Sequence, residues 1–243
     1  MNQVRSTAKA CADRIRQLDW NSVSNDLNAY GAAAIGPLLD VDECRLIAGR
    51  YDNEDEYRSR IVMARHGFGS GEYKYWCYPL PTIIEQLRVS LYPPLAKIAN
   101  TWHQALGYEQ PFPTELPAYL ERCHDNGQTR PTPLLLKYGT HDYNCLHQDI
   151  YGPHVFPLQV AILLSRPGRD FEGGEFVVVE QRPRRQSRAE VIALQQGEAV
   201  VFAVNSRPVA GTKGTYRVKL RHGVSRIKQG TRFTLGIIFH DAA

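Results

Sequence analysis

Cys145-Leu146-His147-Gln148-Asp149 is the stretch on which the fold turns. In an extended segment, side chains at i and i+2 face the same way, so His147 and Asp149 can grip one ion. A third candidate ligand, His222, stands 73 residues beyond Asp149, and Arg232 follows ten residues later. Further strand pairs intervene, and a closed β architecture lets His222 return opposite the His-x-Asp pair. With 8 histidines in the chain, a lone His-x-Asp is uninformative. The returning His222 and the arginine after it are what give the motif weight.

Outward from the motif the chain reads as strands. Residues 134–138, 156–164, 174–179, 191–194, 199–204, 216–220, 223–227 and 232–239 are short apolar or alternating runs. Arg166-Pro167-Gly168 and Gln196-Gly197-Glu198 are turns between them. Short strands at this spacing predict a barrel or sandwich.

The first half reads differently. Residues 8–18 are rich in helix formers, with Ser6 or Thr7 available as a cap. Residues 23–30 predict a second helix ended near Gly31, and 32–39 a short strand. Residues 40–51 predict a helix with Asp40 as N-cap and Cys44, Leu46 and Ile47 as its buried side. Residues 58–81 combine Gly67, Gly69 and Gly71 with Phe68, Tyr73, Tyr75, Trp76 and Tyr78, a composition for strands and a loop folded over a surface or ligand. A longer helix is expected over 82–106, kinked near Pro93-Pro94, and a short one around 117–123. The expected class is α+β, one domain over 1–243. In it, 1–130 is mainly helical support and substrate region, and 131–243 the β core.

Composition bounds the rest. An apolar fraction of 43% over 243 residues supports a sizeable core. A net charge of +4 is a mild lean toward polyanions and does not itself argue for nucleic acid. The 5 cysteines form no Cys-x-x-Cys pair, as expected of reduced thiols rather than a zinc site or disulfide framework. No run approaches the roughly 20 apolar residues of a membrane helix, and Met1 to Arg5 lacks the apolar stretch of a signal peptide. A cytoplasmic protein without membrane contact is expected.

Two imidazoles and one carboxylate leave open positions on an octahedral ion, as oxygen-activating Fe(II) requires. Catalytic zinc is usually four-coordinate, and no His-Glu-x-x-His segment is present. On the last strand, Arg232, Thr234 and Gly236 share one face by period two. A guanidinium is the natural bidentate clamp for a carboxylate, and a hydroxyl two residues on adds a hydrogen bond. The ordinary alternative for Arg232 is a pair with a surface acid.

His147-x-Asp149, His222 and Arg232-x-Thr234 resemble the Fe(II)/2-oxoglutarate-dependent dioxygenase superfamily. The core resemblance covers about residues 134 to 241, with Tyr138 on the strand before the motif and Glu172-Gly173-Gly174-Glu175 at a mid-barrel turn. Tyr73-Lys74-Tyr75, Pro79-Leu80-Pro81, Arg130-Pro131-Thr132-Pro133 and Arg221-His222-Gly223-Val224-Ser225 extend it toward a bacterial subfamily described as nucleic-acid-related and prolyl-hydroxylase-like. The resemblance implies a double-stranded β-helix, a jelly-roll or cupin-like barrel with N-terminal helices packed on it. It implies Fe(II) on His147, Asp149 and His222, and 2-oxoglutarate held by Arg232, with Thr234 and Tyr138 as further contacts. With O₂, such an enzyme yields succinate, CO₂ and a hydroxylated substrate. If the hydroxylated carbon bears nitrogen, the product collapses to a demethylated amine and an aldehyde.

The substrate is less legible. Four arginines in the run from Gln181 to Arg188 read either as a phosphate-contacting loop or as a solvated hairpin tip. Tyr73, Tyr75, Trp76 and Tyr143 are available for stacking, though aromatics are more often core. Arg60, Arg65 and His66 are candidates for a pocket mouth, with plain surface charge as the alternative. His141 and His154 lack ligand spacing. Nucleic acid, a small molecule and a protein side chain all remain open as substrate. A nucleic-acid-binding barrel without turnover and a zinc-using cupin-like enzyme are the competing classes.

Overall fold

A computed structural model describes residues 10–150, 152–182, 184–212 and 214–243. The expected cap at Ser6 or Thr7 lies outside the described residues. Helix α1 is described over 10–16 and is followed by α2 (Trp20–Tyr30). Asp19 caps α2, its Oδ1 accepting the Asn21 and Ser22 N–H groups at 3.0 and 3.2 Å. Gly31, at φ 78°, ends it in the left-handed conformation that glycine adopts without penalty. Strand β1 (Ala32–Ile35) is shorter than expected. It stops before Pro37, which has no N–H to extend a ladder.

Helix α3 (Val41–Ala48) starts with the expected Asp40 cap, completed by Glu43 in a reciprocal capping box. Cys44 and Ile47 are buried, but Leu46 is 52% exposed, correcting its expected place in the core. At about 100° per residue, Leu46 lies roughly 200° around the helix from Cys44. Helix α4 (Thr82–Ala105) continues through Pro93 and Pro94. It buries Ile84, Leu87, Leu91, Leu95, Ala99 and Trp102, a stripe at three- and four-residue spacing. Helix α5 is Leu116–His124. Among the described residues no helix is long and apolar enough to cross a membrane.

The strands form a mixed α/β structure with antiparallel sheets. In chain order they are β2 (Tyr57–Val62), β3 (Gly69–Ser70), β4 (Glu72–Trp76), β5 (Leu134–Tyr138), β6 (Tyr143–His147) and β7 (Leu158–Leu163). Then come β8 (Phe171–Gly173), β9 (Phe176–Gln181), β10 (Arg188–Ile192), β11 (Ala199–Ala203), β12 (Ser206–Gly211), β13 (Gly214–Val224), β14 (Ile227–Gly230) and β15 (Arg232–Ile237). One sheet runs β1-β11-β7-β15-β5-β4-β2 and the other β10-β9-β13-β6-β3, with β12 on β13 and a separate β14-β8 pair. Thus the glycine- and aromatic-rich segment adds β2 and β4 to the edge of one sheet and β3 to the other.

Two expected boundaries move. The predicted strands 216–220 and 223–227 are instead one strand, β13, ending at Val224, and then a new strand, β14. A register shift between His222 and Val224 against β6 lets β13 pass its glycine without stopping. The predicted strand 191–194 starts earlier, at Arg188, because β10 pairs along β9 from Arg188↔Glu180 to Ile192↔Phe176. Short strands β8, β12 and β14 carry no apolar run and escape a hydrophobicity reading.

The C-terminal segment is clamped to the helices. Arg88 on α4 donates to the Ile238 carbonyl at 2.8 Å and the Asp241 carboxylate at 2.7 Å. Tyr78 donates to the other Asp241 oxygen at 2.9 Å, and His124 Nε2 lies at the same distance from it. Beside this clamp His240 is 2% exposed, and its Nδ1 accepts the Phe156 N–H at 3.2 Å. Burial, aided by the Arg88 charge, pushes His240 down to about 4. An unfolded histidine titrates near 6.5. His240 therefore contributes its full stability above pH ~6.5, and this is lost as the pH falls toward 4, approaching about 3 kcal/mol. Urea unfolding across that range should show this slope in the wild type and a flatter one in His240→Gln. Equal slopes would remove His240 as the cause.

Candidate metal centre

The two sheets face each other across a cavity. From the first come Leu134, Leu136 and Tyr138 of β5, Gln159 of β7, Phe202 of β11 and Arg232 and Thr234 of β15. From the second come Asn144 and His147 of β6, Phe176 of β9 and His222 of β13, and Asp149 follows β6. The expected triad converges here: ligand atoms of His147, Asp149 and His222 lie within 4.8 Å of one another. Asp149 sits between the two rings, with Oδ1 3.4 Å from His147 Nε2 and Oδ2 3.4 Å from His222 Nε2. The ring centroids are 4.2 Å apart.

The backbone explains the convergence. β13 lies between β9 and β6, and His222 is directly opposite His147 in the β13–β6 register. Two residues distant in sequence thereby become cross-strand neighbours. His147 Nδ1 is 2.8 Å from the Cys145 carbonyl, so it carries the proton there and leaves the Nε2 lone pair facing Asp149. Phe202 packs on the His222 ring at 4.5 Å, and Phe176 stacks at 6.0 Å.

Electrostatics agree with a ligand set. Burial and then the His222 charge push His147 below the ordinary imidazole range, which favours the neutral form that binds metal. Burial pushes the Asp149 carboxyl up, but hydrogen bonding to His222, the charges of both imidazoles and the Gln159 amide outweigh it. The net direction is down, so the carboxylate stays ionised. His141 and His154 are not in the cluster.

Arg232 is 2% exposed and stands opposite Tyr138 in the β15–β5 register. Burial pulls its guanidinium down to about 10, so it stays charged at neutral pH. Thr234 accepts from Arg232 Nη1 at 2.6 Å, so its hydroxyl orients the guanidinium. The Arg232 Cζ lies 5.6 Å from the Tyr138 ring centroid, and Tyr138 is fully buried. Gly174 has φ 65°, and a Cβ there would come within 3.0 Å of Arg232 Cδ, so the glycine leaves room for the arginine.

Among the described residues, the buried Arg232 Nε beside this cavity finds no hydrogen-bond partner. Buried polar groups are almost always paired, and an unpaired buried charge is costly. The buried Arg232 charge in the lining of the same cavity fits an anionic ligand beside the metal ligands. The donor set therefore fits a divalent metal with a carboxylate co-ligand.

Gln159 was not apparent as a site residue. Its signal was there: it is the one polar side chain in β7, whose six residues are all buried. Phe68 was noted only as part of an aromatic-rich segment, yet it lines the cavity. The basic run is the β9–β10 connection, and none of its described residues lines the cavity. Arg182 donates to Glu180 at 2.6 Å and Arg188 pairs with Glu190 at 3.3 Å. Arg60 pairs with Glu72 at 2.8 Å.

Residues 71–242 match the family Oxygenase-NA, described as an oxygenase catalysing oxidative methylation of damaged DNA. An uncharacterized protein of Mycobacterium tuberculosis is 53% identical over 165 residues, covering 68% of this chain and 71% of that protein. Among solved structures, a Pseudomonas putida prolyl-4-hydroxylase is similar with a TM-score of 0.54 at 14% identity, over 92% of this chain and 100% of that one. A 2OG-Fe(II) oxygenase-family oxidoreductase from Burkholderia pseudomallei is similar with a TM-score of 0.54 at 15% identity, over 93% and 94%. At these identities the structural likeness speaks for the fold. The family match covers most of the chain, and the fold and the His-Asp-His cluster agree with it: the chain belongs to the Oxygenase-NA family and is an oxidoreductase.

Proposed function

We propose that this oxygenase removes N-linked methyl groups from damaged DNA, using Fe(II) and 2-oxoglutarate. His147, Asp149 and His222 would hold the metal, and Arg232 the distal carboxylate of 2-oxoglutarate. The observation that carries the reading is the buried Arg232 guanidinium in the same cavity as the triad, which pairs with no carboxylate among the described residues. A buried charge without a carboxylate partner is explained by a ligand that brings one. The family description supports DNA as the substrate class.

When bound, the metal and co-substrate supply the oxidant: one oxygen atom of O₂ enters succinate as CO₂ leaves, and the other is inserted into a substrate C–H bond. On an N-methyl carbon the product is a hemiaminal, which releases formaldehyde and the amine. The direction we propose is therefore oxidative demethylation.

The chain's own residues orient and insulate this chemistry. The Cys145 carbonyl holds His147 in one tautomer. Gln159 steadies Asp149, and Thr234 aims Arg232. Phe176 and Phe202 keep water from the inner side of His222, which favours strong electrostatics. Tyr138 offers a hydroxyl beside Arg232 for the same carboxylate.

We further read the two facing sheets as a double-stranded β-helix, and the chain as one domain. In support, β1, β2 and β4 from the first 80 residues extend the same sheet as β5, β7, β11 and β15.

The test is turnover of an N-methylated single-stranded oligodeoxynucleotide with Fe(II), ascorbate and 2-oxoglutarate. Succinate and formaldehyde should form in equal amounts and both should stop when the metal is chelated. Succinate released with no loss of methyl groups, alongside hydroxylation of a prolyl peptide, would replace DNA as the substrate.

A further inference from the structure

We propose that Phe68, with His66 stacked on it, is the platform on which a nucleobase of the DNA strand rests while its reactive group enters the cavity. The inference rests on the oxygenase reading above and adds the residue that positions the substrate.

Space sets the problem. The cavity encloses about 140 Å³, room for on the order of ten water-sized atoms. A metal and a five-carbon dicarboxylate use most of that. A planar heteroaromatic ring therefore has to be held at the mouth, with only its reacting edge inside. Among the described aromatic residues that line the cavity, Phe68 is the most exposed, at 41%.

The backbone presents it deliberately. Phe68 lies between Gly67 and Gly69, at φ 70° and 129°. Only glycine adopts such angles freely, and a Cβ on Gly69 would collide with the Tyr143 carbonyl. The Phe68 carbonyl accepts the Cys145 N–H at 2.9 Å, and Gly69 and Ser70 pair with Asn144 and Tyr143. Phe68 is thus tied to β6, the strand that carries His147. Its distance from the metal ligands is set by sheet hydrogen bonds, not by a free loop.

The ring is also supported. His66 stacks on Phe68 with centroids 5.3 Å apart and planes 23° from parallel. Elsewhere on the wall, Tyr73 and Tyr75 meet edge-to-face at 5.4 Å, and Arg58 lies 4.4 Å over the Tyr75 ring. An exposed phenylalanine backed by a second ring has an unsatisfied apolar face, and a base is a π-surface of matching size. Base–aromatic stacking is sequence-tolerant and strong enough to be measured residue by residue.

The experiment uses the full chain loaded with Mn(II) and 2-oxoglutarate. Two probes are titrated by fluorescence anisotropy: a short single-stranded oligodeoxynucleotide, and a fully abasic strand of equal length and charge. Wild type is expected to prefer the strand with bases by about tenfold. Phe68→Tyr should keep that preference. Phe68→Leu, which preserves apolar bulk at a half-exposed position, should lower it by at least about threefold. Thermal melting of both variants confirms that they fold. A preference unchanged in Phe68→Leu overturns the proposal, as does a wild type that does not distinguish the strands. Calorimetric titration of wild type with Mn(II) and 2-oxoglutarate separates the two readings. If neither binds, the metal and 2-oxoglutarate reading fails and this inference with it; if both bind, a preference kept in Phe68→Leu counts against Phe68 alone, and a wild type blind to the bases counts against Phe68 and against DNA bases as the substrate.

Discussion

Asp149→Ala should lower iron retention and succinate formation by at least about 100-fold. The estimate is a floor, because losing a residue that merely orients a ligand already costs 10–100-fold. Asp149 is the one anionic member of the cluster, 3.4 Å from each imidazole. Without it, two imidazoles remain, neither of which neutralises a divalent charge. Asp149→Glu should recover little, because one added methylene pushes the carboxylate into rings whose centroids are already 4.2 Å apart. The check is metal content after anaerobic dialysis together with 2-oxoglutarate turnover. Full iron retention in Asp149→Ala would show that the metal, if any, sits elsewhere.

Arg232→Met separates stability from function. The guanidinium is 2% exposed and its Nε is unpaired. Truncating one partner of a buried charge pair costs 2–5 kcal/mol, so the KM for 2-oxoglutarate should rise at least about 30-fold, the equivalent of 2 kcal/mol. Metal affinity should not change, since Arg232 is not among the ligands. The unliganded variant should melt at the same temperature as wild type or higher, because an apolar chain of similar volume removes a lone buried charge. Saturating 2-oxoglutarate should raise the wild-type Tm and leave the variant's unmoved, as linkage requires. Arg232→Lys should fall between them, keeping the charge but losing the fork. A marked drop in the unliganded Tm of Arg232→Met would mean that Arg232 holds the fold together, and that no carboxylate ligand is needed to explain it.

How legible the site was depends on the kind of signal each residue carries. His147 and Asp149 share a face by strand periodicity alone, and Arg232 and Thr234 do the same. Their grouping around one cavity was therefore anticipated. Thr234 shows where that logic stops: its face was readable, but its hydrogen bond goes to Arg232 Nη1. Gln159 is marked only as the one polar residue of an apolar strand, a signal without periodicity that assigns it no partner. Leu46 is apolar yet exposed, because its helical angle, not its composition, decides which face it takes. Val224 was taken for mid-strand because a register shift leaves no mark on hydrophobicity.

By itself, the sequence determined which groups could share a site: two imidazoles, a carboxylate and a returning arginine in strands of alternating pattern. These are local properties, set by residue type and by the period of the backbone. Only the tertiary structure decided which distant residues oppose one another. His222 faces His147 because β13 is inserted between β9 and β6, and Phe68 meets the cavity because β3 hydrogen-bonds to β6. Strand order and register depend on long-range pairing across the whole sheet, and that information is spread over the chain rather than written in any one stretch of it.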